Sequence, residues 1–420
     1  MHPEPRPFLR ALFDCAVETA DPMRALALHL PPKPHGRVVV IGAGKASARM
    51  AEAVERQWGP CEGLVITRYG YARPCAGIEI VEAAHPVPDA AGQHATTRLL
   101  ALLAGLGPDD FVLALISGGA SSLLVAPRPG ISLAEKQAVN QALLASGAPI
   151  NQMNTLRKHL SLVKGGQLAA TAYPARMLAL MISDIPGDDM AFIGSGPTVP
   201  EPSTPAEARA IASQWNLALP PSITATLNAP TTTIPPGDIR LSRVENRIIA
   251  APSQSLHAAL TLAGSMGCEV RLLGDALEGE ARDVATAQSQ MAREIAAARI
   301  PGSAPVLLLS GGELTVTRRG SGIGGPNAEF SLALALALQG TPGIHAIACD
   351  TDGVDGAAEV AGAIITPDTL ARARTLGLDP AQALAQNDSH SFFAALDDQV
   401  ITGPTLTNVN DFRAILIADA

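Results

Sequence analysis

The sequence predicts an α/β fold in two domains, and three observations carry that expectation. Apolar runs of strand length alternate with helix-period stretches along the chain. Several runs end in glycine-rich turns followed at once by a helical pattern, the strand–turn–helix order of a mostly parallel sheet between helix layers. A chain of 420 residues, 47% of them hydrophobic, exceeds one ordinary domain and supplies more than one core.

The elements follow in order. An amphipathic helix is expected over 7–28. The β-branched run Val38 to Ile41 then ends in Gly42-Ala43-Gly44, and Ala46, Met50, Ala53 and Val54 recur at helical spacing. Further strands are expected at 63–67, 78–82, 111–116 and 177–183, with helices between them at 90–104 and 132–147. Between about 197 and 240 the texture turns rich in Pro and Thr around a helix at 205–215, which marks a domain boundary. Beyond it, strands at 247–251, 268–273, 305–310, 313–317, 344–349, 361–365 and 413–417 alternate with helices near 279–299 and 327–339, so the second half also reads as α/β. No fixed-period repeat is present.

Composition excludes whole classes of partner. Aromatic residues are 3% of the chain and the formal net charge is −9, which leaves neither a stacking platform nor a basic face for a nucleic acid. Mean hydropathy is high, +0.21. However, the longest apolar stretches, such as FVLALI and SLALALAL, fall far short of the roughly 20 residues that span a bilayer. The opening MHPEPRPFLR contains no signal-like apolar run, and a cytoplasmic enzyme with a small-molecule substrate, no nucleic acid and no membrane is expected. Cys15, Cys61, Cys75, Cys268 and Cys349 are scattered and odd in number, which argues against a disulfide framework or a zinc site.

Four segments share one design, an apolar strand running into small residues: IGAGKAS (41–47), ISGGASSLL (116–124), SDIPGDD with GSGPT (183–198), and LSGGE (309–313). Such turns are expected to expose backbone N–H groups to an anion, with glycine allowing close approach. IGAGKAS fits neither known nucleotide fingerprint. It has Ser47 where a dinucleotide turn wants glycine and Thr67-Arg68 where it wants an acid, and no GxxxxGK[ST] loop is present. An arginine there would serve a 2′-phosphate, which keeps an NADP reading open. Lys45 is placed to meet a phosphate as a point charge. Asp184, Asp188 and Asp189, and Asp350, Asp352 and Asp355, follow buried strands, where α/β enzymes place bases and Mg²⁺ ligands, although such residues also make Asx turns and N-caps. His85 and His159, with Arg157, Lys158 and Lys164, stand in segments suited to an anionic substrate, although a lone histidine is more often structural.

Together these segments resemble the glycerate 2-kinase family, in which a Rossmann-like domain precedes a MOFRL domain. VVVIGAGKAS, AAHPVPDAAG, LISGGASSLL, NTLRKHLSLVKGG, SDIPGDDMAFIGSGPTVP, LSGGE, GGPNAEFSLALAL and DTDGVDG match in order over residues 38–356, and NDSHSF and PTLTNVND extend the match almost to the end. The resemblance implies domains at 1–235 and 236–420 and ATP-dependent phosphorylation of D-glycerate to 2-phosphoglycerate in a cleft between them. Its alternatives are an NAD(P)H-dependent hydroxypyruvate reductase, a name some members carry, and a catalytically weak nucleotide-binding member. It maps the family's lysine onto Lys45 and its motif aspartate onto Asp352. On this reading Lys45, Asp184, Asp188 and Asp352 are catalytic, with Asp188 and Asp352 holding Mg²⁺. Gly42, Gly44, Ser117, Gly118, Gly119, Ser121, Gly311, Gly312 and Asn327 bind ATP, and His85, Arg157 and His159 bind glycerate. One departure stands out. Where the family often reads GGRNQE, this chain has Pro326, and Arg318 or Arg319 upstream would have to supply the missing guanidinium.

Overall fold

The computed structural model describes residues 4–356 and 358–419. They form two compact units, one of residues 22–249 and the other of residues 1–21 with 250–420. The division thus falls at 249/250, and the first 21 residues group with the later unit rather than with the strands they precede.

The 22–249 unit is built on six strands: β1 (Val38–Ala43), β2 (Glu62–Arg68), β3 (Ile78–Ala83), β4 (Phe111–Ile116), β5 (Arg176–Ile182) and β6 (Val244–Ala250). Their order across the sheet is β3-β2-β1-β4-β5-β6. The first five run parallel. That is the order of a doubly wound nucleotide-binding sheet. Every residue of β1 and β4 is buried, which explains why these strands read as continuous apolar runs rather than alternating ones. Helices Ala90–Leu103 and Gln167–Ala172 pack onto the face carrying Val39, Ile41, Ala114 and Ile116. The winding reverses between β1 and β4, because β2 and β3 lie on one side of β1 and β4 to β6 on the other. A second apolar cluster around Leu143, Leu156, Ala208 and Ile223 holds together helices Leu133–Ser146, Ile150–His159, Pro205–Gln214 and Pro221–Asn228.

The other unit has eight strands: β7 (Glu269–Gly274), β8 (Gly279–Glu280), β9 (Val306–Gly312), β10 (Leu314–Thr315), β11 (Ile344–Asp350), β12 (Gly362–Ile365), β13 (Gln399–Val400) and β14 (Asp411–Ile417). Its main sheet has the order β13-β12-β11-β14-β9-β7 and is antiparallel except where β7 meets β9. One face is covered by helices Ala281–Ala298 and Pro326–Leu338, whose Phe330, Leu332 and Leu334 are fully buried. Helix Pro5–Thr19 covers the other face, inserting Phe8, Leu9, Leu12 and Phe13 among Leu256, Leu307, Leu309 and Phe412.

The opening helix is shorter than its periodicity suggests. It ends at Thr19, and a separate turn starts at Pro22. Proline disfavours helical geometry at Asp21 and brings no N–H to continue the ladder. The five cysteines are all free thiols. Among the described residues no helix is long and apolar enough to cross a membrane.

Candidate active site

In the 22–249 unit the carboxyl ends of the central strands finish level, because Ala43 pairs with Ile66 and Ile116, and Ile116 pairs with Met181. The turns that follow therefore emerge side by side at the reversal point: Gly44-Lys45 after β1, Ser117–Gly119 after β4, and Ser183–Asp188 after β5. Ligands of open α/β sheets bind at this place.

The first turn differs from expectation. Its N–H groups do not point outward. Gly44 N–H donates to Ile66 O (3.1 Å), Lys45 N–H to Gly118 O (2.8 Å) and Ser47 N–H to Gly44 O (3.2 Å), while Ala46 N–H donates to Ser117 Oγ (3.0 Å). The glycines here serve close packing. A Cβ on Gly42 would stand 2.5 Å from Leu115 O, and one on Gly44 would stand 2.0 Å from Ser117 Oγ. Ser117 is fully buried, and its hydroxyl also meets Ser47 Oγ at 3.1 Å, so it ties β4 to the helix Ser47–Trp58 rather than facing a ligand. What this turn presents to solvent is the half-buried Lys45 side chain.

The second turn has the opposite character. Among the described residues, the N–H groups of Gly118 and Gly119 donate to no protein acceptor. Gly119 is left-handed (φ 83°). A Cβ there would lie 3.1 Å from His85 Nε2 and 3.4 Å from Lys45 Cγ, so these two side chains close on the turn. His85 arrives from the segment just after β3. Ser121 completes the group: its hydroxyl bonds Ser195 Oγ (2.8 Å), and its carbonyl and hydroxyl take hydrogen bonds from Lys164 Nζ at 2.6 and 3.2 Å. Ser195 in turn bonds Asn154 Oδ1 (3.2 Å), which joins the GSGPT segment to helix Ile150–His159.

After β5, Asp184 and Asp188 are half-buried. Asp188 holds a left-handed backbone (φ 56°), and its Oδ1 is buried without a hydrogen-bond donor. A carboxylate oxygen withdrawn from water and left unpaired is a donor atom suited to a hard cation. Among the described residues no set of three or more His, Cys, Asp or Glu could hold a metal by itself. The orphaned Asp188 oxygen fits a Mg²⁺ site in which one or two carboxylates share the ion with phosphate oxygens.

The other expected residues have different surroundings. His159 is 1% exposed, with Nδ1 on Thr231 Oγ1 (3.0 Å) and Nε2 on Ser203 Oγ (3.2 Å). Both ring nitrogens are thus used in holding the 201–233 segment, and burial pushes the ring's pKa below its usual value despite the nearby Glu201. Arg157 is half-buried, with its Nε on Asn140 Oδ1 at 3.3 Å.

In the other unit, Gly311 and Gly312 are strand residues explained by packing, since a Cβ on Gly312 would stand 2.2 Å from Leu277 N. Asn327 is buried, and its amide bonds Asp355 (3.3 Å) and Asp411 (2.6 Å). Asp352 is buried and accepts from Val354 N–H (2.8 Å), an Asx-type turn. Asp355 accepts from the N–H groups of Asn327 (2.9 Å) and Ala328 (2.8 Å), capping helix Pro326–Leu338 from a distant loop. Pro326 opens that helix, where its missing N–H costs nothing. Arg318 and Pro326 line the same cavity of about 310 Å³, with Gly322, Gly324 and Asn387.

A doubly wound sheet with unspent amide donors at its reversal point defines an α/β protein of the Rossmann-like class. Comparisons place it within that class. Residues 8–228 match the domain of unknown function DUF4147, and residues 306–411 match the MOFRL family. The chain is 38% identical to a D-glycerate 2-kinase of Thermotoga maritima, covering 96% of each protein. It is 51% identical to a putative hydroxypyruvate reductase of Agrobacterium vitis, covering 98% of this chain and 94% of that one. A crystal structure of glycerate kinase from Thermotoga maritima superposes with a TM-score of 0.87 at 36% identity, covering 98% of this chain and 99% of that one. The chain belongs to the glycerate 2-kinase family and joins a DUF4147 match to a MOFRL match.

Proposed function

We propose that the protein transfers the γ-phosphoryl group of ATP to the 2-hydroxyl of D-glycerate, releasing ADP, 2-phosphoglycerate and a proton. The observation that carries this reading is the pair of unspent N–H groups on Gly118 and Gly119, flanked by Lys45 and His85. The names of its relatives support the same chemistry.

Phosphoryl transfer asks the protein mainly to position two oxygens in line and to neutralise charge on the three others. The Gly118 and Gly119 amides supply two preorganised donors that need no reorganisation during the reaction. Lys45 supplies a compact positive charge on the same turn. His85 borders the same side of the turn as Lys45 and is placed to donate to the transferred group. As the acceptor oxygen attacks phosphorus and the bond to ADP breaks, the hydroxyl proton passes to a carboxylate, for which Asp184 is the candidate. Asp188, with its orphaned oxygen, would hold Mg²⁺ together with the phosphates. Bound Mg²⁺ would neutralise charge shared between the β- and γ-phosphoryl oxygens.

The reductase name carried by the Agrobacterium relative motivates a second reading. Hydride transfer from NAD(P)H would need a site for the dinucleotide. At the end of β2, however, Thr67 is buried with its hydroxyl on Gly44 O (3.1 Å), and Arg68 bonds Tyr71 Oη (3.2 Å). No acid stands there to take ribose hydroxyls. The two readings separate in one experiment. Purified protein with ATP, Mg²⁺ and a panel of short hydroxy acids should release ADP only when an acceptor is present, and Lys45→Ala should lower that rate by at least about 100-fold. NADPH oxidation with hydroxypyruvate, and no acceptor-dependent ADP, would replace the kinase by the reductase.

A further inference from the structure

Next to the phosphate turn lies a concentration of buried positive charge that the scheme above does not use. Lys136 is 4% exposed and Lys164 1%, and Lys158 is buried beside them. Lys158 has a carboxylate partner, Glu201, and lies over the Phe192 ring at 5.6 Å. Among the described residues Lys136 has no hydrogen bond or carboxylate acting on its ammonium group, only burial and the nearby Arg157. Among the described residues the ammonium of Lys164 hydrogen-bonds Ser121 alone.

The geometry joins these groups. Lys136 and Asn140 are four residues apart on one helix and share a face, and Arg157 reaches Asn140 with its Nε. Arg157 and Asn154 are three apart on the next helix, and Asn154 holds Ser195, which bonds Ser121, the residue Lys164 grips. The electrostatics agree. Burial lowers the pKa of Lys136, with Arg157 adding to the effect. Burial also lowers that of Lys164, with Lys136, Arg157 and Lys158 as further causes. A cluster of three lysines and an arginine in which, among the described residues, Lys158 alone has a carboxylate partner is an arrangement that burial penalises unless an anion enters it. Arg157, half-buried, is the member open to a ligand.

We infer that Lys136, Arg157 and Lys164 form an anion site that takes the carboxylate of the acceptor, adjacent to the turn that takes the phosphoryl group. The site selects short 2-hydroxy carboxylates over uncharged polyols. Lys136 and Lys164 replace His159 in the role expected from sequence, because the His159 ring is already fully bonded. This rests on the acceptor being a hydroxy acid.

Lys136→Met keeps volume and removes the charge. It should raise the KM for D-glycerate roughly 10- to 100-fold, the usual range for one charge-assisted contact, with kcat and the KM for ATP changed less than about threefold. Its Tm should equal or exceed the wild-type value, because an unpaired buried charge is removed. Lys136→Arg should restore most of the affinity, and it keeps the test open if the methionine variant does not fold. Calorimetric titration of D-glycerate without ATP should show the same loss of binding. An increase in the KM for ATP alone would assign the cations to the nucleotide phosphates and overturn the inference, as would unchanged constants in a folded variant. If the wild type binds glycerate through Lys136 but never consumes ATP, the carboxylate site stands and the kinase reading falls.

Discussion

At the residue scale, Gly119 is the position where conformation and chemistry meet. Alanine there would cost about 1–2 kcal/mol for left-handed geometry, and its methyl would press on the His85 ring at 3.0–3.1 Å. Gly119→Ala is therefore expected to lower stability by that amount and to slow ADP release at least tenfold. Equal rates at saturating ATP would remove the turn from the chemistry. Lys136 allows a pH test. Burial lowers its pKa from 10.5 to about 8, so between those values the unfolded chain binds more protons than the folded one, and wild-type stability rises with pH. Below pH 8 the folded protein bears the cost of the buried charge, on the order of 3 kcal/mol. Lys136→Met should be more stable than wild type by about that margin at pH 7, and the gap should narrow by pH 9.5 in urea titrations. A gap that does not change with pH would show that folding leaves the lysine's pKa unshifted. Glycine and hydroxyl residues after a strand made the turn legible in the sequence. Which amides are spent was not legible, since Lys45 N–H finds Gly118 O only through the pairing of β1 with β4. Lys136 carried no signal, because one lysine on an amphipathic helix reads as a solvated face.

At the element scale, helix Pro326–Leu338 is held at its start by a residue far away in sequence. Gly325 occupies its N-cap without a side chain, and Asp355 supplies both acceptor oxygens. His390 Nε2 also lies 3.0 Å from that carboxylate. Asp355→Ala should cost about 2–4 kcal/mol, since it strands buried donors, and Asp355→Asn should cost less because one acceptor remains. A urea midpoint unchanged in the alanine variant would refute the capping role. The spacing of Asp350, Asp352 and Asp355 could not separate cap from ligand, because the two uses need the same residue type after the same kind of strand. Element positions were far more legible. Nearly every expected strand is present, since buried β-branched runs bounded by glycine leave little ambiguity. The direction of pairing in the second sheet was not readable, because alternation of strands with helices does not fix it. That sheet is mostly antiparallel.

At the scale of the whole molecule, chain order and spatial grouping part company. Helix Pro5–Thr19 comes first in sequence, yet its apolar face packs on the unit formed by residues 250–420. Deleting residues 1–21 should uncover Leu256, Leu307, Leu309 and Phe412 and lower the thermal transition of that unit by well over 5 °C, with aggregation on heating. An unaltered melt would show that the helix adds nothing to that core. The amphipathic pattern announced the helix but not the sheet it covers. Phosphoryl transfer to the 2-hydroxyl is tested most simply by ³¹P NMR of wild-type protein with ATP, Mg²⁺ and D-glycerate. The spectrum should show ADP signals together with a new phosphate monoester split into a doublet by the lone proton on carbon 2. A triplet, from transfer to the CH₂ oxygen, would contradict the choice of hydroxyl. No ester signal, with NADPH consumed in the presence of hydroxypyruvate, would contradict the kinase itself.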